Sequence, residues 1–369
     1  MTDEVHKKIE SQKSEKKKND RVHFFISLAL IAMSYIFYSD YADFRKKAPK
    51  LGIEMRPMSD LGYIVGMAIL MHLVRRVIDY FLRAPLEAKL REDNLLDLDL
   101  RRDKLTRQIY DTIYYFGIYF LGRFIATDID YIPDCIGGAG TCDSLGKYWP
   151  RMVFHDKMRM YIILQFGHHL HNLVYHTVAM KNVGNYFEMI THHYAAVVSL
   201  FYSYFTNWED YAFIILICHD LSDGILNLGK VSRDMKFSTL TNICWVFLAF
   251  FWFYHRTYII ASCYFYKTYE YYWWKAPFPE HMDLWHSVKR GVNFIIFNIF
   301  IIWILNIVWW VQIIKMGDNK FIKKKAWVSH HEGEIDSEEI KNKAKGGYKD
   351  KPATSDYPVS KSPLKQKDN

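Results

Sequence analysis

Two stretches of the chain set titratable side chains at spacings that can do chemistry. The first reads Asn185-Tyr186-Phe187-Glu188-Met189-Ile190-Thr191-His192-His193-Tyr194, and the second, after a long apolar run, His219-Asp220-Leu221-Ser222-Asp223. Residues four apart share a helix face, which pairs Glu188 with His192 and His219 with Asp223. The side chains of His192 and His193 diverge by about 100°, so one ring can face a cavity while the other packs against a neighbour. If the two segments are antiparallel neighbours, the His pair and the Asp pair meet at similar depth. An imidazole near its ordinary pKa of about 6.5 serves as base or nucleophile. A carboxylate beside it fixes the tautomer and stabilises the charged form. Proton transfer or nucleophilic attack is the chemistry that follows. The plain alternative is a buried polar network that only holds two helices together.

The surroundings of these residues are apolar. Half of the 369 residues (50%) are hydrophobic and 24% are charged, with a formal net charge of +8. The apolar residues gather in blocks rather than at amphipathic spacing, and the charges lie between and outside the blocks. Eight blocks are candidates to cross a bilayer: roughly 22–39, 61–82, 107–126, 158–180, 185–206, 209–230, 239–266 and 291–315. Each approaches the about 20 residues that a core of about 30 Å requires. The pattern predicts an all-α polytopic membrane protein. An Asp at the centre of a span costs roughly 2.5–3.5 kcal/mol, so Asp220 and Asp223 must face a polar interior. Block 22–39 lacks a small-residue cleavage site and reads as an anchor rather than a signal peptide.

Residues 1–21 are Lys-rich and nearly free of apolar side chains, which predicts a disordered basic tail, and 316–369 reads as a disordered charged tail. Between them, 22–106 holds two helices with their connecting loops, and 107–315 is the main domain. Lys and Arg in short loops put 83–106 and 231–238 on the same side as both termini, the cytosolic one. The loop expected at 40–60 opposes this, because Arg45, Lys46, Lys47, Lys50 and Arg56 then face the lumen. Loop 127–157 is luminal in this arrangement. It carries Cys135 and Cys142, for which a disulfide and two free thiols are both open. The other three Cys read as small hydrophobes. Five Cys without a CxxC pair argue against a disulfide framework and a Cys-based zinc site.

The fourth block carries His168, His169, His171 and His176. Membrane di-iron oxidases use several His boxes ending in HxxHH or HxxxHH. Here Glu188 and Met189 stand where the leading His would be, so no metal is assigned, although a lone zinc or iron site stays a rival. His330-His331 lies in the polar tail. Trp273-Trp274, Trp309-Trp310 and Tyr269 to Tyr272 read as interfacial aromatic belts. Lys365 and Lys367 resemble a cytosolic retrieval address for the endoplasmic reticulum.

Taken together, Phe187-Glu188-Met189-x-x-His192-His193, Ser203-Tyr204, Ile217-Cys218-His219-Asp220-x-x-Asp223 and Lys230 resemble the ceramide synthases, a branch of the membrane proteins that share the TLC domain. Weaker similarity over Leu70 to Pro85 and Arg107 to Arg123 extends the resemblance to roughly 61–315. It implies that 107–315 is a TLC-type bundle, the last six of about eight spans, around a lipid cavity. It also implies an endoplasmic-reticulum enzyme with both termini cytosolic. The enzyme would join a fatty acyl-CoA to the amino group of a sphingoid base, with acyl-CoA as co-substrate and no further cofactor. His192 would be acylated as an acyl-imidazole, Asp223 would be its proton partner, and His193, His219 and Asp220 would support the site. A homo- or hetero-dimer fits such a protein, and a nucleic-acid partner does not. Arg101, Arg102, Lys104, Arg107, Lys230 and Arg233 are the cations available for the coenzyme's phosphates, and 267–290 is the loop that would influence acyl length. The chain departs from the pattern at Gln165, where an acid is usual, at Lys181-Asn182-Val183-Gly184, and in its His-rich fourth block. A TLC-domain protein without enzyme activity, translocon-associated or lipid-regulating, is the alternative.

Overall fold

The structure is a computed structural model that describes residue 28 and residues 31–92, 98–179, 186–270 and 281–323. Among them every long element is a helix. Helix α1 covers 31–47. It is followed by α2 (Asp60–Glu92), α3 (Leu98–Ala126), α4 (Asp156–Ala179), α5 (Tyr186–Phe205) and α6 (Glu209–Asp234). Next, α7 (Ser238–Phe251) runs without a break into a π-helix (Trp252–Phe265) and α8 (Tyr266–Tyr269), and α9 spans Met282–Gly317. Four helical stretches, Asp60–Leu90, Glu209–Asp234, Ser238–Tyr269 and Met282–Ile322, are long and apolar enough to cross a membrane. The chain is a multi-pass membrane protein. The expectations for 1–21, 324–369 including His330-His331, Lys365 and Lys367, the 181–184 segment, Trp273-Trp274 and the Glu188 side chain lie outside the described residues. Helix α9 continues past the expected end at 315, and Asp318–Ile322 follows it as a π-turn.

The loop expected over 40–60 is replaced for its first part by helix. Helix α1 runs through the end of block 22–39 because its polar residues have partners. Asp40, 0% exposed, accepts from Arg290 Nε at 2.9 Å and from the Gly291 amide at 2.7 Å. Lys47 pairs with Asp43 at 2.7 Å. Arg56 and Glu209 form a buried ion pair, with Arg56 Nη2 donating to Glu209 Oε2 at 2.7 Å. The basic residues that opposed the orientation by loop charge are thus in part structural ties to α6 and α9.

The turn between α5 and α6 sets the height of the candidate residues. Asn207 has φ 65°, a left-handed conformation that Asn tolerates better than most residues. Its Nδ2 donates to the carbonyls of Glu54 at 2.9 Å and Pro150 at 2.8 Å. Glu209 and Asp210 then open α6, where acidic side chains complement the helix dipole. His192 lies 15 residues before Asn207 and Asp223 lies 16 after it. At 1.5 Å per residue both stand roughly 23–24 Å from the turn along antiparallel helices. Helix α5 packs mainly on α4 and α6 mainly on α3. Glycine permits the close α3–α6 approach. A Cβ on Gly224 would come 3.3 Å from the Phe116 ring of α3, and one on Gly122 would come 3.3 Å from Ile217 of α6.

Candidate functional site

His192 projects from α5 and keeps an exposed ring. The charges of Asp223 and Arg256 both act on its ring. The neighbouring His193 is buried (4% exposed) and turns toward α4. Its ring centroid is 4.9 Å from that of His176, 5.9 Å from His169 and 5.2 Å from His192. Among the described residues neither nitrogen of His193 has a hydrogen-bond partner.

Helix α6 brings the acidic pair to two different sets of partners. Asp220 is 3% exposed. Its Oδ2 accepts from Gln165 Nε2 at 2.6 Å and from the Tyr161 hydroxyl at 3.0 Å. Asp223 keeps 28% of its side chain exposed and pairs through Oδ1 with Arg256 at 2.5 Å. The same guanidinium donates to Ser222 Oγ at 2.6 Å and to the His219 carbonyl at 2.8 Å. His219 shares a face with Asp223, but the bonds of its ring go elsewhere: Nδ1 meets the Ile215 carbonyl at 2.6 Å, and Nε2 stands 3.5 Å from Asn306 Nδ2. Toward α3, Asp111 and Tyr115 also feel the Asp223 charge. Asp220 and His219 thus spend their bonds on other partners, while Asp223 keeps an exposed edge and acts on the His192 ring, and His193 turns away toward α4.

The His-rich face of α4 forms a separate stack. His168 lies flat on Tyr114 at 3.6 Å between centroids, and His171 faces His72 at 5.7 Å. Among the described residues no group of three of these histidines converges closely enough to share an ion. The one His, Cys, Asp or Glu group that does is Cys135, Cys142 and Cys263, with ligand atoms within 4.8 Å of one another.

The family model for the TLC domain, TRAM_LAG1_CLN8, matches residues 104–315. The chain belongs to the TLC-domain family. Its relatives within that family are distant. Human ceramide synthase 4 is 24% identical over 121 residues, covering 33% of this chain and 30% of its own length. The sphingosine N-acyltransferase lag1 of Schizosaccharomyces pombe is 23% identical over 244 residues, covering 64% of this chain and 59% of its own length. Ceramide synthase LOH1 of Arabidopsis thaliana is 20% identical over 275 residues, or 70% of this chain and 84% of its own length. The chain thus spans less than two thirds of the first two relatives.

All five sequence-derived site residues fall inside the TLC domain. Three residues that the sequence reading passed over join them there. Arg256 is 4% exposed, and a lone Arg in an apolar block carries the same insertion cost that singled out the two Asp. Asp111, in the block at 107–126, had that signal too. Asn306 had none, being neutral and one of many residues in the most apolar block. The cysteine expectations need correction. Cys263 is not a packing residue but forms a disulfide with Cys142, 121 residues away. Cys135 is the free thiol, its sulfur 3.7 Å from that of Cys263. Burial pushes the Cys135 thiol up to about 11. Lys267 adds a second tie across the same place by pairing with Asp143.

Proposed function

We propose that this TLC-domain protein is an N-acyltransferase that joins a fatty acyl-CoA to the amino group of a sphingoid base through an acyl-imidazole on His192. The observation that carries the reading is the placement of His192, exposed and level with Asp223, only about 9 Å along α5 from Tyr186. An acyl-CoA can bury its chain in a bilayer but not its phosphates, so the nucleophile has to lie within reach of a polar edge. Near that end Arg75, Arg107 and Lys230 act on Asp111. With Arg101, Arg102, Lys104 and Arg233 they are the cations on offer to the phosphates.

In the first half-step a ring nitrogen of His192 attacks the thioester carbonyl carbon. The carbon–sulfur bond breaks, and the ring's proton goes to the sulfur, which leaves as the CoA thiol. In the second, the amine nitrogen attacks the acyl-imidazole. The bond from the carbonyl carbon to the ring breaks, the amine's proton returns to the ring, and the amide departs. Covalent catalysis replaces one difficult transfer with two easier ones. Asp223 balances the positive charge that the ring acquires, while Asp220, His219 and His193 hold the surrounding helices in place. The six long helices from α3 to α9 enclose a lipid cavity that takes the acyl chain and the base. The protein works in the endoplasmic-reticulum membrane with 83–106 and 231–238 toward the cytosol. This puts the Cys142–Cys263 bond on the luminal side, where oxidising conditions preserve it.

The test uses membranes expressing the full chain, supplied with sphinganine and acyl-CoAs of graded length, and lipids read by mass spectrometry. N-acyl sphinganine above the level of control membranes is the expected outcome. No product with any acyl-CoA would move the protein to the non-enzymatic TLC-domain proteins.

A further inference from the structure

Arg256 is the sole Lys, Arg, Asp or Glu between Ser238 and Tyr266. Nothing about membrane insertion favours it there. It is nevertheless buried, and its guanidinium is engaged at three points by a single turn of α6: the His219 carbonyl, the Ser222 hydroxyl and the Asp223 carboxylate. The guanidinium plane is backed by Trp252, 4.0 Å from the ring centroid. The backbone changes to π-helix at Trp252, four residues before Arg256. Such turns are uncommon in helices and collect at functional sites. A planar donor fixed at three points on a turn cannot swivel, so the carboxylate it holds cannot swivel either.

The rest of the neighbourhood argues that this clamp serves more than packing. Asp220, one turn back, has its own neutral donors in Tyr161 and Gln165. Among the described residues the carboxylate that Arg256 pairs with is that of Asp223, which retains an exposed edge (28%). His192 on α5, Tyr115 on α3 and Asp220 on α6 itself are titratable groups on which both Asp223 and Arg256 act, and Asp111 feels Asp223 from α3.

Resting on the acyltransferase reading above, we propose that Arg256 is a positioning residue of the transfer site. It locks the Asp223 carboxylate opposite His192 as a fixed counter-charge to the imidazolium. In this arrangement Asp223 is not the group that shuttles the proton. The proton moves between the ring, the leaving sulfur and the incoming amine, and the Arg256–Asp223 pair stays in place throughout.

The experiment compares wild type, R256K, R256Q, D223N and the D223N/R256Q double variant as full-length protein in membranes, with sphinganine and the acyl-CoA that wild type uses best. A group displaced by about 1 Å costs on the order of 10² in turnover, so R256Q should lose about that much in kcat while KM for acyl-CoA stays nearly constant. R256K should recover part of the loss, because it restores the charge but not the planar fork. Residues acting as one unit are non-additive, so the double variant should be no slower than D223N alone. Wild-type kcat in R256Q, a loss confined to KM, or losses that multiply in the double variant would each overturn the proposal. If R256Q fails to elute as a single species, the double variant, which leaves neither charge unpaired, carries the comparison with D223N by itself. A wild type that makes no N-acyl sphinganine ends the acyltransferase reading as a whole. An active wild type with an indifferent R256Q ends only the role given to Arg256.

Discussion

Gln165 donates its Nε2–H to Asp220 Oδ2 at 2.6 Å, and Gln165 itself is wholly buried. The amide also reaches the Tyr161 hydroxyl at 3.0 Å and accepts from Tyr114 through Oε1 at 3.2 Å. The amide at this position, where the resemblance leads one to look for an acid, thus has a physical cause. A carboxylate there would meet the Asp220 carboxylate with the single proton of the Tyr161 hydroxyl to share between them.

Gln165→Leu should therefore destabilise the protein by about 1–3 kcal/mol, because it strips a buried carboxylate of its amide donor. Gln165→Glu should do more harm, since it sets two acidic groups against each other. Thermal unfolding of the detergent-solubilised protein measures both. Midpoints equal to wild type in both variants would mean that Asp220 does not depend on Gln165.

The acyl-imidazole has a direct signature. Acyl-CoA given without a base should leave one acyl group on wild type, read by intact mass, and none on His192→Ala. His193 makes no hydrogen bond among the described residues and stacks toward His176. His193→Phe preserves that packing, so it should still show the adduct, formed more slowly. An adduct that survives His192→Ala and vanishes in His193→Phe would exchange the roles of the two rings.

Much of this arrangement is legible in the chain itself, and what is not has identifiable causes. The long blocks are visible because a bilayer selects for runs of apolar residues, and the level of His192 with Asp223 follows from counting outward from the turn at Asn207. Arg256 stands in plain sight with the same energetic signal as Asp223, but its partner cannot be read without knowing which face of the π-helix Trp252–Phe265 meets α6. Cys263 was hidden for a similar reason. Nothing local in its sequence distinguishes a Cys bonded 121 residues away from one that packs as a hydrophobe. The extent of helix α1 is hidden because its apolar run stops at 39 and charged residues follow, whereas Asp40 is satisfied by Arg290, 250 residues further on.

The cysteines give a chemical check on that corner of the fold. A non-reducing digest should yield the Cys142–Cys263 peptide pair with Cys135 free. With its thiol pushed up to about 11, Cys135 should resist alkylation at pH 8, where roughly one molecule in 10³ is thiolate, and react faster as pH rises. Cys142→Ser frees Cys263 beside the Cys135 sulfur, 3.7 Å away. A Cys135–Cys263 bond should then appear under mild oxidation. Cys135 and Cys263 both still alkylated in that variant after oxidation would show that the sulfurs are not neighbours.

Asn207 tests whether the α5–α6 turn sets the catalytic register. It does two separable things: it adopts φ 65°, and its amide ties the turn to the carbonyls of Glu54 and Pro150. Gly can adopt the conformation but makes neither bond, whereas Ala makes neither bond and strains the backbone. Asn207→Gly should therefore lose about 1–3 kcal/mol for the buried carbonyls left without donors. Asn207→Ala should lose a further 1–2 kcal/mol or so from the left-handed backbone. The turn lies roughly 23 Å from His192, far from any substrate contact. A fall in kcat for either variant at temperatures where it is fully folded would then have to arise from a change in the height of His192 relative to Asp223. Inserting one Ala after Leu200, within α5, tests that directly. It turns the part of α5 that carries His192 by about 100° against the turn and should abolish the acyl adduct on His192 even in protein that remains monodisperse. An insertion variant that acylates normally would show that the turn does not set the register.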